Sequence, residues 1–77
     1  PEGSLLADSP VAGSVWEVLK APGETVKAGE PLMILESMKM EIPVLASQDG
    51  QLLEHRVKPG SRVTPGQIVS ILQPLEP

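Results

Sequence analysis

The chain is 77 residues long, carries a formal net charge of −4, and contains one histidine, one aromatic residue (a tryptophan) and no cysteine. That length supports a single domain that buries only about 60% of its unfolded surface, in an aliphatic core of Val, Leu, Ile and Met. The composition excludes disulfides, a thiolate metal cage and a cysteine nucleophile; His55 alone cannot hold zinc, and six scattered Lys and Arg residues give no phosphate-backbone footprint.

The N-terminal PEGSLLADSP lacks the charged-then-apolar pattern of a signal peptide, and no apolar run approaches the roughly 18 residues of a membrane span. The expected setting is therefore cytoplasmic, or mitochondrial for a eukaryotic source, with neither nucleic acid nor membrane as partner. The chain begins with Pro1, and both ends contain Pro and Glu, which suggests a module from a longer polypeptide. Its expected limits are 1–7 as linker or tail, 8–73 as the folded domain and 74–77 as a C-terminal tail.

In chain order the pattern predicts a short extended piece near 8–11 and a strand over 14–20. Pro22-Gly23 then makes a turn, followed by an extended piece at 25–27 and a bend at Gly29. Strands are expected at 31–36 and 40–46. The signals then recur: strand 51–57, a turn at Pro59-Gly60, a short piece at 62–64, a bend at Gly66 and a strand over 67–73. Punctuation every six or seven residues leaves no room for helices. Val15 and Val18 both read as inward-facing, which breaks strict alternation and predicts a bulge near Trp16-Glu17.

The recurrence is a repeat. GSVWEVLKAPGETVKAGEPLMILE (13–36) aligns with GQLLEHRVKPGSRVTPGQIVSILQ (50–73) at an offset of 37, with eight identities in 24 positions, four of them Gly or Pro. Two such halves, each with one apolar face, should pack about a pseudo-twofold axis as an all-β flattened barrel or sandwich. Lys20 aligns with Val57, so the repeat leaves its direction open.

Between the halves lies Glu36-Ser37-Met38-Lys39-Met40. Strands joined across about two residues pair as an antiparallel hairpin, which puts Lys39 at or beside the tip. The turn lacks the Asn-Gly or Asp-Gly that hairpin tips favour, and departures of that kind concentrate at functional positions. A lysine on a turn is ordinarily a solvated charge. This one is framed by two of the chain's three methionines, the adaptable apolar surface that a partner can grip.

The chain from about Asp8 to Gln73, with PVAG, VKAGEPL, ESMKM and the second copy of the repeat, resembles the biotinyl domain of biotin-dependent carboxylases, the biotin carboxyl carrier module. Among these, SPVAGSVWEVL followed by ESMKMEI is most similar to the biotinyl segment of urea carboxylase. The resemblance implies a barrel-sandwich hybrid of two quasi-symmetric four-stranded halves with the modified lysine on a protruding hairpin. It implies biotin as an amide on Lys39, with Met38, Met40 and Glu36 as flanking recognition residues. Ser37 stands where the family usually has Ala. The implied function is non-catalytic: a swinging arm that shuttles carboxybiotin between biotin carboxylase and carboxyltransferase sites after modification by a biotin protein ligase. No catalytic or metal-ligating set is expected, since His55 lacks a sequence partner and the acidic residues read as solvated surface. The alternatives are a lipoyl carrier, disfavoured because its lysine sits in a D-K-A setting, and an unmodified interaction domain of the same fold.

Overall fold

A computed structural model describes residues 4–75. Eight strands follow one another: β1 (Leu5–Asp8), β2 (Gly13–Val18), β3 (Thr25–Val26), β4 (Pro31–Ser37), β5 (Met40–Leu45), β6 (Gly50–His55), β7 (Arg62–Val63) and β8 (Ile68–Pro74). They form two four-stranded antiparallel sheets, ordered β1-β8-β6-β3 and β5-β4-β2-β7. The two faces enclose an aliphatic core in a body 39 Å long and 19 by 16 Å across.

The repeat is realised strand by strand. Gly13 and Gly50, Thr25 and Arg62, and Pro31 and Ile68 begin matched strands, each pair 37 residues apart. The two sheets have the same order once β1 is matched with β5. Each sheet draws on both halves of the sequence, because β1 and β3 join β6 and β8 of the second half, and β5 and β7 join β2 and β4 of the first. Turn bonds repeat as well: Gly23 N–H donates to the Leu52 carbonyl, and Gly60 N–H to that of Val15, both at 2.8 Å. These two Pro-Gly turns place glycine at φ 97° and 92°, a conformation that costs L-residues with a side chain.

Matched positions also fill the core. Val15 and Leu52, Val26 and Val63, Leu32 and Val69, and Leu35 and Leu72 are all buried. Each is worth about 1.5–3 kcal/mol of burial, so the interior stabilises the fold without an aromatic ring. The single tryptophan lies outside it: Trp16 sits at the bulge between Val15 and Glu17, and is 52% exposed. The second copy bulges at the same place, between Leu52 and Glu54.

Three expectations need correction. The extended piece expected near 8–11 lies at Leu5–Asp8, where Leu5 faces Leu72 across the β1–β8 pair, so residues 5–7 belong to the sheet and not to a linker. Ser9 and Pro10 end that strand, with Ser9 N–H donating to the Gln67 carbonyl at 2.9 Å. Pro74, expected in the C-terminal tail, closes β8 opposite Gly50. The acidic residues do more than solvate the surface. Glu24 accepts from Ala21 N–H at 2.6 Å, Glu30 from Lys27 N–H at 2.7 Å and Asp49 from Ala28 N–H at 2.9 Å, so each carboxylate satisfies a turn amide. The remaining strands fall within two residues of their expected limits.

Candidate functional site

The chain passes from β4 to β5 through two residues. Ser37 pairs with Met40, and Met38 and Lys39 form the tip, with φ of 52° and 66°. Positive φ at both central residues is the type I′ geometry whose twist suits a two-residue hairpin. Asn and Gly adopt it readily, whereas an ordinary side chain in the left-handed region costs about 1–3 kcal/mol. Among the described residues these are the only non-glycine positions with positive φ. The strain is therefore confined to the lysine and the methionine before it.

The tip stands clear of the core. Met38 is 90% exposed and Met40 58%, while Met33 lies fully buried in the interior. The chain thus uses one methionine for packing and two for surface, as the frame around Lys39 led one to expect. Lys39 is exposed, and none of the ion pairs or side-chain hydrogen bonds among the described residues involves it. Its amine projects unhindered from the tip.

Two further features fix the tip. Ser37 Oγ donates to the Ala12 carbonyl at 2.7 Å, joining the base of the turn to the segment before β2. Gly13, the first residue of β2, runs so close to the Glu36 carbonyl that a Cβ there would collide with it. Glu36 faces Glu41 on β5 and Ser14 on β2, and its exposed carboxylate has no side-chain partner within the described residues. Two like charges directly opposite one another disfavour the pairing slightly. An open groove of about 330 Å³ runs beside the tip, lined in part by Lys39, Glu36 and Arg62.

Sequence reasoning left His55 without a partner; the fold supplies two. Its Nε2 lies 2.7 Å from the Lys20 carbonyl, which can only accept, so Nε2 donates there, and Nδ1 lies 2.7 Å from Ser70 Oγ. The pair resembles a Ser–His couple, but Ser70 is fully buried and cannot reach a substrate. It is a satisfied polar contact in the core. The repeat held the signal: the facing pair Val18 and Met33 of the first copy becomes His55 and Ser70 in the second, and both residues change together. Lys20, whose direction the sequence left open, turns its amine toward Glu30, 3.6 Å away. No cluster of three or more His, Asp or Glu residues that could hold a metal occurs among the described residues.

Comparison with known proteins agrees with this geometry. The family model described as "Biotin-requiring enzyme" matches residues 6–72. The biotin/lipoyl attachment protein of Bacillus subtilis is 39% identical over 59 residues, which cover 77% of this chain and 81% of that protein. The urea amidolyase of Saccharomyces cerevisiae is 31% identical over 75 residues, or 97% of this chain but only 4% of that much longer protein. Among solved structures, the urea carboxylase of Kluyveromyces lactis superposes with a TM-score of 0.90 at 32% identity, covering 94% of this chain and 6% of that one. The match spans both halves of the repeat and the hairpin between them, and the chain belongs to the biotin-requiring enzyme family.

Proposed function

We propose that this chain is a biotin carboxyl carrier module and that Lys39 is its attachment residue. The observation that carries this reading is the tip itself: an exposed, unpaired lysine on a strained two-residue turn, framed by two exposed methionines. A fold does not retain left-handed Met and Lys where Asn-Gly would be easier unless those side chains are needed there.

The residues present fit a covalent biotin. In attachment by a biotin protein ligase, Nζ of Lys39 attacks the carbonyl of biotinyl adenylate, adenylate leaves, and the amine loses its proton as the amide forms. The positive charge is then gone, and the lysine stem becomes part of a long neutral tether. Bound biotin supplies a ureido nitrogen that takes up carboxylate at one site and releases it at another. The chain's own contribution is placement. The barrel holds one end of the arm, the turn projects it, and Met38 and Met40 offer a deformable apolar surface to successive partners.

Those partners are the ligase and, in turn, biotin carboxylase and carboxyltransferase domains or subunits. The chain spans only a small part of the urea amidolyase and urea carboxylase it matches, so the parent activity is part of the proposal. Similarity over 97% of the chain to a urea amidolyase supports a urea carboxylase as that parent. Intact mass measured after incubation with biotin, ATP and a biotin protein ligase tests the carrier reading. One biotinyl group per chain supports it, whereas an unchanged mass favours an unmodified interaction domain. A lipoyl group acquired from a lipoate ligase in place of biotin favours the lipoyl carrier.

A further inference from the structure

The internal repeat provides a control for every surface feature, because each pole of the molecule is built on the same backbone. Across the sheet at the tip pole, Arg62 on β7 faces Ser14 on β2, Ser14 faces Glu36 on β4, and Glu36 faces Glu41 on β5. Residues opposite one another share a face, and Ser14 precedes the buried Val15, so this row points outward. At the other pole the matched row is Thr25, Gln51 and Gln73. It carries no charge, and Gln51 Nε2 is occupied by the Gly23 carbonyl at 3.1 Å. The tip pole replaces Gln51 with the small Ser14, Thr25 with Arg62 and Gln73 with Glu36. A groove of about 330 Å³ lies at the tip pole, with Arg62 and Glu36 both among its lining residues and no ion pair between them.

Lys39 lines this groove with Ser14, Glu36 and Arg62. Its volume is near the lower end of small-ligand sites, which run from about 300 Å³ upward. Arg62 and Glu36 stand two strands apart, about 10 Å between Cα atoms at the usual strand spacing. A ureido ring matches that arrangement chemically: its carbonyl oxygen accepts from a guanidinium, and its N–H groups donate to a carboxylate. On the carrier reading of Lys39, on which this rests, the arm is tethered at the rim of the groove.

We infer that the Arg62–Ser14–Glu36 groove is a resting site for the ureido ring of biotin carried on Lys39, with Arg62 donating to the ureido oxygen and Glu36 accepting from a ureido N–H. The arm then alternates between a docked position on its own domain and an extended one in a partner's site. Arg62 and Glu36 are positioning residues, and neither takes part in bond making.

The test uses the ¹⁵N-labelled protein, biotinylated by a ligase, with mass analysis confirming label on Lys39. Nuclear Overhauser contacts should link the ring protons of biotin to Ser14 and Arg62. Ureido N–H signals should shift from those of free biotinyl-lysine, and the shifts should be lost in Arg62→Ala and in Glu36→Ala, which remove the donor and the acceptor. Amide spectra of the ¹⁵N-labelled, unbiotinylated variants verify the fold, and intact mass verifies that each variant still takes biotin on Lys39. Ureido signals identical to free biotinyl-lysine, without contacts to the groove, would overturn the inference while leaving the carrier function intact. Shifts that persist in both variants would overturn it as well. Failure of Lys39 to take label at all would instead overturn the carrier reading, and this inference with it.

Discussion

Ser37 Oγ donates to the carbonyl oxygen of Ala12 at 2.7 Å, across 25 residues of chain, and so ties the base of the lysine-bearing turn to the segment entering β2. An alanine at this position, the usual residue in the family that the motif resembles, cannot make the bond. Ser37→Ala should therefore cost about 0.5–1.5 kcal/mol, the net worth of one such bond. It should also speed amide exchange at Met38, Lys39 and Met40 relative to the rest of the domain. Hydrogen exchange followed residue by residue checks this; unchanged protection at the tip would show that the bond does not restrain it.

The strain at the tip makes a second prediction. Replacing Met38 and Lys39 together by Asn-Gly gives the turn residues that accept positive φ at both positions. The variant should gain about 1–2 kcal/mol in urea denaturation, since the cost of the left-handed conformation is relieved. It should also lose any capacity for biotin. A variant no more stable than the parent would mean that Met38 and Lys39 impose no backbone cost.

Glu30 marks a pH dependence. Its carboxyl is held below the ordinary value of 4.5, chiefly by the hydrogen bond from Lys27 N–H and, more weakly, by the charge of Lys20. A carboxyl lowered in the folded state stabilises the fold above pH 4.5, and that contribution disappears as pH falls through the lower folded value. The second copy holds the same turn with Gln67, which accepts from Thr64 N–H at 3.0 Å. Glu30→Gln should thus keep the turn, lose a little stability at neutral pH, and converge with the parent in acid. Urea midpoints between pH 7 and pH 3 test this; curves that stay parallel would contradict it.

Glycine at the start of β2 and of β6 is a matter of contact, not of φ. A Cβ on Gly50 would lie 2.8 Å from the Gln73 carbonyl oxygen, and one on Gly13 would press on that of Glu36. Gly50→Ala should cost about 1–3 kcal/mol through forced separation of the strands. Gly13→Ala should cost at least as much and should also displace the hairpin. Thermal denaturation of the two variants checks the order.

Much of this architecture was legible in the sequence because turn residues carry local information. Pro22-Gly23 and Pro59-Gly60, with Gly29 and Gly66, set the offset of 37 and hence the strand spacing, and the bulge at Trp16 followed from Val15 and Val18. The position of β1 did not, because Leu5–Asp8 has little alternation and its pairing with β8 is long-range. Carrying the offset back from β5 would have placed it, since Met40–Leu45 corresponds to 3–8. Likewise the lysine and its methionines could be read from five consecutive residues. The partners of His55, the Ser37 bond and the row from Arg62 to Glu36 could not, since each depends on cross-strand register.

Site-resolved mass mapping tests the central claim most directly. The protein and its Lys39→Arg variant are treated with a biotin protein ligase, digested and sequenced by tandem mass spectrometry. Arg keeps the charge and much of the stem but cannot serve as the amine nucleophile, and exposed substitutions shift stability by only about 0.5 kcal/mol. Lys20, Lys27 and Lys58 are internal controls of the same amine chemistry without the strained tip. The account predicts biotin on Lys39 alone and none on the variant. Label on any of the three controls, or label that persists in Lys39→Arg, would contradict it.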